Sequence, residues 1–145
     1  AVAEAQAEGI LILDCRNDNK TGIIKAGYYD PGSPDDIALF KAGFPGVQYQ
    51  VRAENGVIYA PTSFRATAEH YDADSESYQY TGQGGLSWGI PYVAGVLALG
   101  WQVDPKLTNE EIISILFETA YTDKGCFTII NPPAFIAEIE ARMSE

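Results

Sequence analysis

Gly85-Leu86-Ser87-Trp88-Gly89-Ile90-Pro91-Tyr92-Val93-Ala94-Gly95 is the stretch whose reading decides the fold. From Trp88 to Gly100 it carries no charged residue and is studded with small ones. That pattern predicts a helix apolar on all sides and buried in a core, with Ala94, Gly95 and Ala98 admitting close neighbours. Ser87 stands at its mouth, entered through glycines. A helix N-terminus leaves backbone N–H groups unpaired and carries partial positive charge. A hydroxyl there sits beside donors able to stabilise a developing oxyanion. Gly85 lets a substrate backbone come close. Pro91 lacks the N–H that would bond the carbonyl of Ser87, so the helix starts loosely at the serine.

Working outward, the N-terminal side predicts an α/β pattern. Ala1 to Gly9 reads as the last turns of a helix ended by glycine, cut from something longer. Ile10-Leu11-Ile12-Leu13 then predicts a strand buried on both faces, as in a parallel sheet. Arg16 to Pro34 reads as loop. Asp36 to Phe40, Tyr49 to Val51 and Val57 to Tyr59 are expected strands, and Thr62 to Tyr80 is expected to be polar and irregular. On the C-terminal side, Thr108-Asn109-Glu110-Glu111 is a capping box opening a helix with Ile112, Ile113, Leu116 and Phe117 on one stripe. Phe127 to Ile130 is a short extended piece. Pro132-Pro133 opens a last helix through Met143.

At 145 residues the chain suits one domain, and 46% hydrophobic residues is ordinary for a globular protein. Nine Lys+Arg against twenty Asp+Glu give a formal charge of −11. That balance excludes nucleic-acid binding and a polybasic membrane anchor. The apolar run Ile90 to Trp101 is expected to be too short to span a bilayer. Two cysteines do not make a disulfide scaffold.

Three chemistries compete for the central segment. Gly85-Leu86-Ser87-Trp88-Gly89 satisfies the G-x-S-x-G nucleophile elbow, but an elbow needs an apolar strand before it and a histidine after it. Thr81 to Gly84 is polar, and the one histidine, His70, comes earlier. Gly82-x-Gly84 lacks the lysine of a phosphate-binding loop. The third is a family pattern. Gly85-Leu86-Ser87 … Pro91-Tyr92-Val93-Ala94-Gly95 resembles the nucleophile motif of the subtilisin-like serine peptidases, G-T-S-x-x-x-P-x-V-A-G. Ala60-Pro61, the Leu107-Thr108-Asn109 helix through Glu118-Thr119-Ala120, Gly125 with Ile129-Ile130-Asn131, and the helix, strand and turn of Ala1 to Asn19 follow in the family's order. Leu86, Trp88 and Tyr92 depart from it.

The resemblance implies a partial subtilisin-like α/β fold, a mostly parallel sheet flanked by helices, with residues 1–145 as the C-terminal part of a peptidase domain. It implies Ser87 as the nucleophile; the competing reading is a serine that caps the helix. It implies an oxyanion amide from the turn after the first strand, Asn17 or Asn19, with Asn17 preferred. Asp14, Cys15 and Arg16 fall where the family's specificity pocket is lined, and Gly85 beside the substrate backbone. The catalytic Asp and His precede that turn in the family order. They have no counterpart in this chain, so a missing N-terminal half or a second copy is the expected partner, and a peptide or protein the expected substrate. A non-catalytic member of the same fold is the alternative. Cys15 reads as a buried thiol, with a Cys15–Cys126 disulfide left open. No cofactor is identified. Structural calcium is implied by resemblance only, since Asp72-Ala73-Asp74-Ser75-Glu76 fails the EF-hand spacing. Tyr78 and Tyr80 are expected either to help bind substrate or to cover the core.

Overall fold

A computed structural model describes residues 1–14, 22–34, 36–46, 52–69, 74 and 76–144. In chain order the elements are α1 (Val2–Ala7), β1 (Ile24–Tyr28), a 3-10 turn (Ile37–Leu39), β2 (Lys41–Ala42) and β3 (Ile58–Pro61). A hairpin of β4 (Arg65–Glu69) and β5 (Ser77–Thr81) follows, then α2 (Leu86–Val103), α3 (Asn109–Glu118), β6 (Tyr121–Thr122), β7 (Thr128–Ile129) and α4 (Pro132–Met143). The main sheet has the order β2-β1-β3-β7-β6. Its centre, β1-β3-β7, is parallel and its two outer pairings are antiparallel. The fold is mixed α/β, with helices against the sheet.

The period-2 rule explains the centre of the sheet. Ile24, Ile58, Ala60 and Ile130 face a core shared with Val93, Leu97, Ile112, Ile115, Leu116, Phe135 and Ile139 of the helices. Tyr59 and Ile129 face the other way, onto Phe40 and Val57. Both faces of β3 are therefore buried, as a central parallel strand requires.

Several expectations need correction. Ile10 to Leu13 forms no strand among the described residues, and Ile10 is exposed. Leu11 and Leu13 pack on the rim of the helix-side core instead. A short apolar run specifies burial, and Leu11 and Leu13 reach it without a ladder partner among the described residues. The strand that does form in this region, β1, lies inside the stretch expected to be loop. Gly27 interrupts its apolar pattern because the Phe40 ring occupies the space a Cβ would need. Asp36 to Phe40 is a 3-10 turn rather than a strand. The Asp36 carboxylate accepts from the Ala38 N–H at 2.9 Å, a local bond that competes with a ladder. Thr62 to Tyr80 contains a regular hairpin with Arg65 opposite Thr81 and Glu69 opposite Ser77. The expected strand at 49–51 lies outside the described residues.

The helices follow the sequence closely. The C-terminal glycine of α1, Gly9, has φ +77°. Thr108 caps α3 by accepting from the Glu111 N–H at 3.2 Å while the Glu111 carboxylate accepts from the Thr108 N–H at 2.8 Å. These bonds hold the Glu111 carboxyl below its usual range. Thr108→Ala is expected to cost about 1 kcal/mol, read as a lower urea midpoint with an unchanged slope.

α2 departs from its expected burial. Gly89, Val93, Val96, Leu97 and Gly100 are buried against the sheet and helices. Pro91, Tyr92, Ala94, Gly95, Ala98 and Leu99 form an open face, and a Cβ at Gly95 would meet nothing within 4 Å. α2 is also longer than the apolar run Ile90 to Trp101. By length and composition alone its 18 residues could cross a membrane. Its buried face is instead occupied by this chain's own core.

Candidate active site

Ser87 lies in the first turn of α2, with Gly85 as the N-cap residue. It is exposed, and its hydroxyl makes no hydrogen bond among the described residues. The capping role that a serine near a helix start often takes is thus not taken by Ser87. The helix opens with the Trp88 N–H bonded to the Gly85 carbonyl at 2.9 Å. The Leu86 and Ser87 N–H groups belong to the first turn, where no intrahelical acceptor exists. The serine hydroxyl and donors suited to an oxyanion therefore share one end of the helix.

The end of β3 seats this turn. Thr62 is fully buried. Its N–H and its hydroxyl both donate to the Gly27 carbonyl, at 2.8 and 3.2 Å, which ties β3 to β1. Gly89 presses on Thr62, where an added Cβ would lie 3.2 Å from Cγ2 and 3.4 Å from Ile24 Cγ2. Gly84 lies closer still. A Cβ there would overlap the Thr62 carbonyl and lie 2.7 Å from Ser63 Oγ. Gly85 differs, because the nearest atom to an added Cβ is Ser87 Oγ at 3.7 Å. Of these two glycines, Gly84 is required by packing, and Gly85 leaves open space beside the serine.

A cavity of about 300 Å³ adjoins the turn, walled by Tyr29, Pro61, Phe64, Arg65, Trp88 and Tyr92. Trp88 is 46% exposed and lies under the Arg65 guanidinium, 3.8 Å from ring centroid to Cζ. Burial pushes the Tyr92 phenol up to about 12, with a smaller contribution from Tyr29. A raised phenol stays neutral, so Tyr92 keeps its proton throughout the neutral range.

Of the residues singled out in the sequence, Ser87 and Gly85 come together at the start of α2. Asp14 is half-buried. Cys15, Arg16, Asn17, Asn19 and His70 lie outside the described residues, as do Asp72, Ala73 and Ser75 of the acidic stretch. Cys126 is free and exposed, and the other member of the Cys15–Cys126 pair left open lies outside the described residues. Tyr78 and Tyr80 are 83% and 61% exposed on β5, so they do not cover the core. Among the described residues no three His, Cys, Asp or Glu side chains converge, and no calcium ligand set is assigned. Sequence reasoning missed Thr62 and Arg65. Both lie in a segment read as irregular, and neither belongs to the motif.

The α/β fold is subtilisin-like, as its likeness to a solved structure shows. Fervidolysin from Fervidobacterium pennivorans, a keratinolytic enzyme related to subtilisin, is similar over 79% of this chain and 18% of its own, with 20% identity and a TM-score of 0.55. A protease from Pseudoalteromonas arctica PAMC 21717 aligns with 58% of this chain and 30% of its own, at 27% identity and a TM-score of 0.44. The chain thus spans less than a third of either structure. No family model and no curated protein matches it.

Proposed function

We propose that the complete domain is a serine endopeptidase in which this chain carries the nucleophile. The observation behind the reading is the exposed Ser87 hydroxyl at the entrance of α2, free of any capping bond, within a G-x-S-x-x-x-P-x-V-A-G setting. In this mechanism Ser87 Oγ attacks a peptide carbonyl and its proton passes to a histidine. The tetrahedral oxyanion is met by the N–H at the start of α2 and by a side-chain amide, Asn17 by preference. Collapse gives an acyl-enzyme and expels the amine, which takes the proton, and water then releases the acid. An amide donor suits the oxyanion because it carries no net charge that would also hold the ground state. Asp14, Cys15, Arg16 and Gly85 would line the substrate side.

The acid and base would come from a preceding segment or from a second copy. The open face of α2 supports such a partner, because four turns of exposed helix without a charged residue are unusual for a surface left to water. The second reading, a non-catalytic member of the fold, is favoured by the departures of Leu86, Trp88 and Tyr92 from the motif around Ser87.

An organophosphonate probe separates the two. Mass spectrometry is expected to find Ser87 modified in the protein supplied with its upstream segment, and unmodified in the 145-residue chain alone. No labelling of Ser87 in the assembled protein would remove the peptidase reading.

A further inference from the structure

We infer that Arg65 is a positioning residue that straps the glycine loop before Ser87 to the end of β3. The inference takes its functional meaning from the reading of Ser87 as nucleophile. One planar group touches three parts of the site. Arg65 Nη1 donates to the Thr62 carbonyl at 2.9 Å and to the Gln83 carbonyl at 2.9 Å. Its guanidinium lies 3.8 Å over the Trp88 ring. Thr62 directly follows β3, Gln83 lies in the loop, and Trp88 follows Ser87 in the first turn of α2.

The loop needs such a strap. Gly82, Gly84 and Gly85 give it more conformational freedom than any other residues would. It is also thin where it crosses β3. An added Cβ at Gly82 would lie 2.9 Å from Phe64 Cε1, and one at Gly84 would meet the Thr62 carbonyl. Side-chain packing of its own therefore cannot hold it. Phe64 adopts φ +55°, an uncommon conformation for a bulky residue, at the point where the chain turns from β3 into Arg65. The site thus accepts backbone strain at the residue that precedes the strap.

Lysine would fill the role only in part. Its ammonium could reach two carbonyls, but it has no plane to stack on Trp88 while doing so. Arg65 Nε is buried without a hydrogen-bond partner among the described residues. A buried unpaired donor is costly, so removing the guanidinium also removes a penalty. The loss is then expected in the loop rather than in the fold as a whole.

The test uses R65M and R65K in the complete protein, with two readouts. The first is amide hydrogen exchange. In R65M, exchange at Gln83 and Trp88, whose N–H groups donate to Thr81 Oγ1 and to the Gly85 carbonyl, is expected to rise about tenfold, the scale of one charge-assisted bond at a partly exposed site. Amides of Ile112, Ile115, Phe135 and Ile139 should keep their protection. R65K should fall between R65M and the parent. The second is phosphonylation of Ser87, where the maximal rate is expected to fall about tenfold with probe affinity unchanged, because the nucleophile is displaced and not blocked. Loop exchange that stays at the parent value in R65M overturns the proposal, and so does an equal rise throughout the core. Should R65M fail to fold, R65K decides by the same exchange comparison. A parent protein that resists the probe while loop exchange responds as stated removes the peptidase reading and leaves the strap standing.

Discussion

Replacing Ser87 by alanine is expected to lower kcat for peptide hydrolysis by the assembled protein about a million-fold, the scale seen when such a nucleophile is removed. The urea midpoint is expected to stay where it was. The two halves of this result come from different observations. Ser87 is exposed and its hydroxyl bonds to nothing among the described residues, so the fold loses no interaction. A serine acting as helix cap would behave in the opposite way, costing about 1 kcal/mol of stability and leaving chemistry alone. Steady-state kinetics and urea unfolding on the same variant therefore separate the nucleophile from the cap. Hydrolysis that survives Ser87→Ala would end the proposed role.

Gly84→Ala is expected to cost about 2–4 kcal/mol, far more than a surface Gly→Ala change, because the added methyl has no room. It would overlap the Thr62 carbonyl and crowd Ser63 Oγ at 2.7 Å. Neither neighbour can retreat cheaply. Thr62 is fully buried and bonded to Gly27 through both its N–H and its hydroxyl. Ser63 is only 4% exposed. The loop must move instead, and Ser87 with it, so any loss of stability should be matched by a loss of kcat. Gly85→Ala is the control. Its Cβ would have ordinary contact with Ser87 Oγ at 3.7 Å, and its φ of −144° suits any residue. Stability should hold within about 0.5 kcal/mol while the methyl narrows the approach to the serine and lowers kcat/KM. Equal urea midpoints for the two variants would show that Gly84 is not the seat of the loop.

Legibility from the sequence varied with the range of the signal. α2, α3 and α4 were readable because their signals are local: glycines before Leu86, the Thr108–Glu111 box, and Pro132-Pro133 at a first turn. The Ser87 segment was readable for the same reason, since its spacing lies within one element. Ile10 to Leu13 misled because a short apolar run specifies burial without supplying an edge to pair with. β1 is not legible in the sequence because Lys25 and Gly27 break its pattern, and Gly27 is explained only by the distant Phe40 ring. The β4–β5 hairpin is not legible either, because most of its described residues are not buried, so it carries no strong alternation of apolar and polar residues.

By itself, then, the sequence determined the α/β character, the position and start of the helix that bears Ser87, and the capped helices that follow. These rest on bonds and periodicities between residues a few places apart, which any reader of the chain can count. Only the tertiary structure decided that one face of α2 is buried and the other open, that Gly84 is pressed against Thr62, and that Arg65 joins β3, loop and helix. Those facts depend on contacts between segments 18 to 35 residues apart, such as Arg65 with Gln83 and Thr62 with Gly27. Nothing in the local pattern encodes which distant backbone will occupy the space beside a glycine, because that space exists only once the sheet and helices have closed around it.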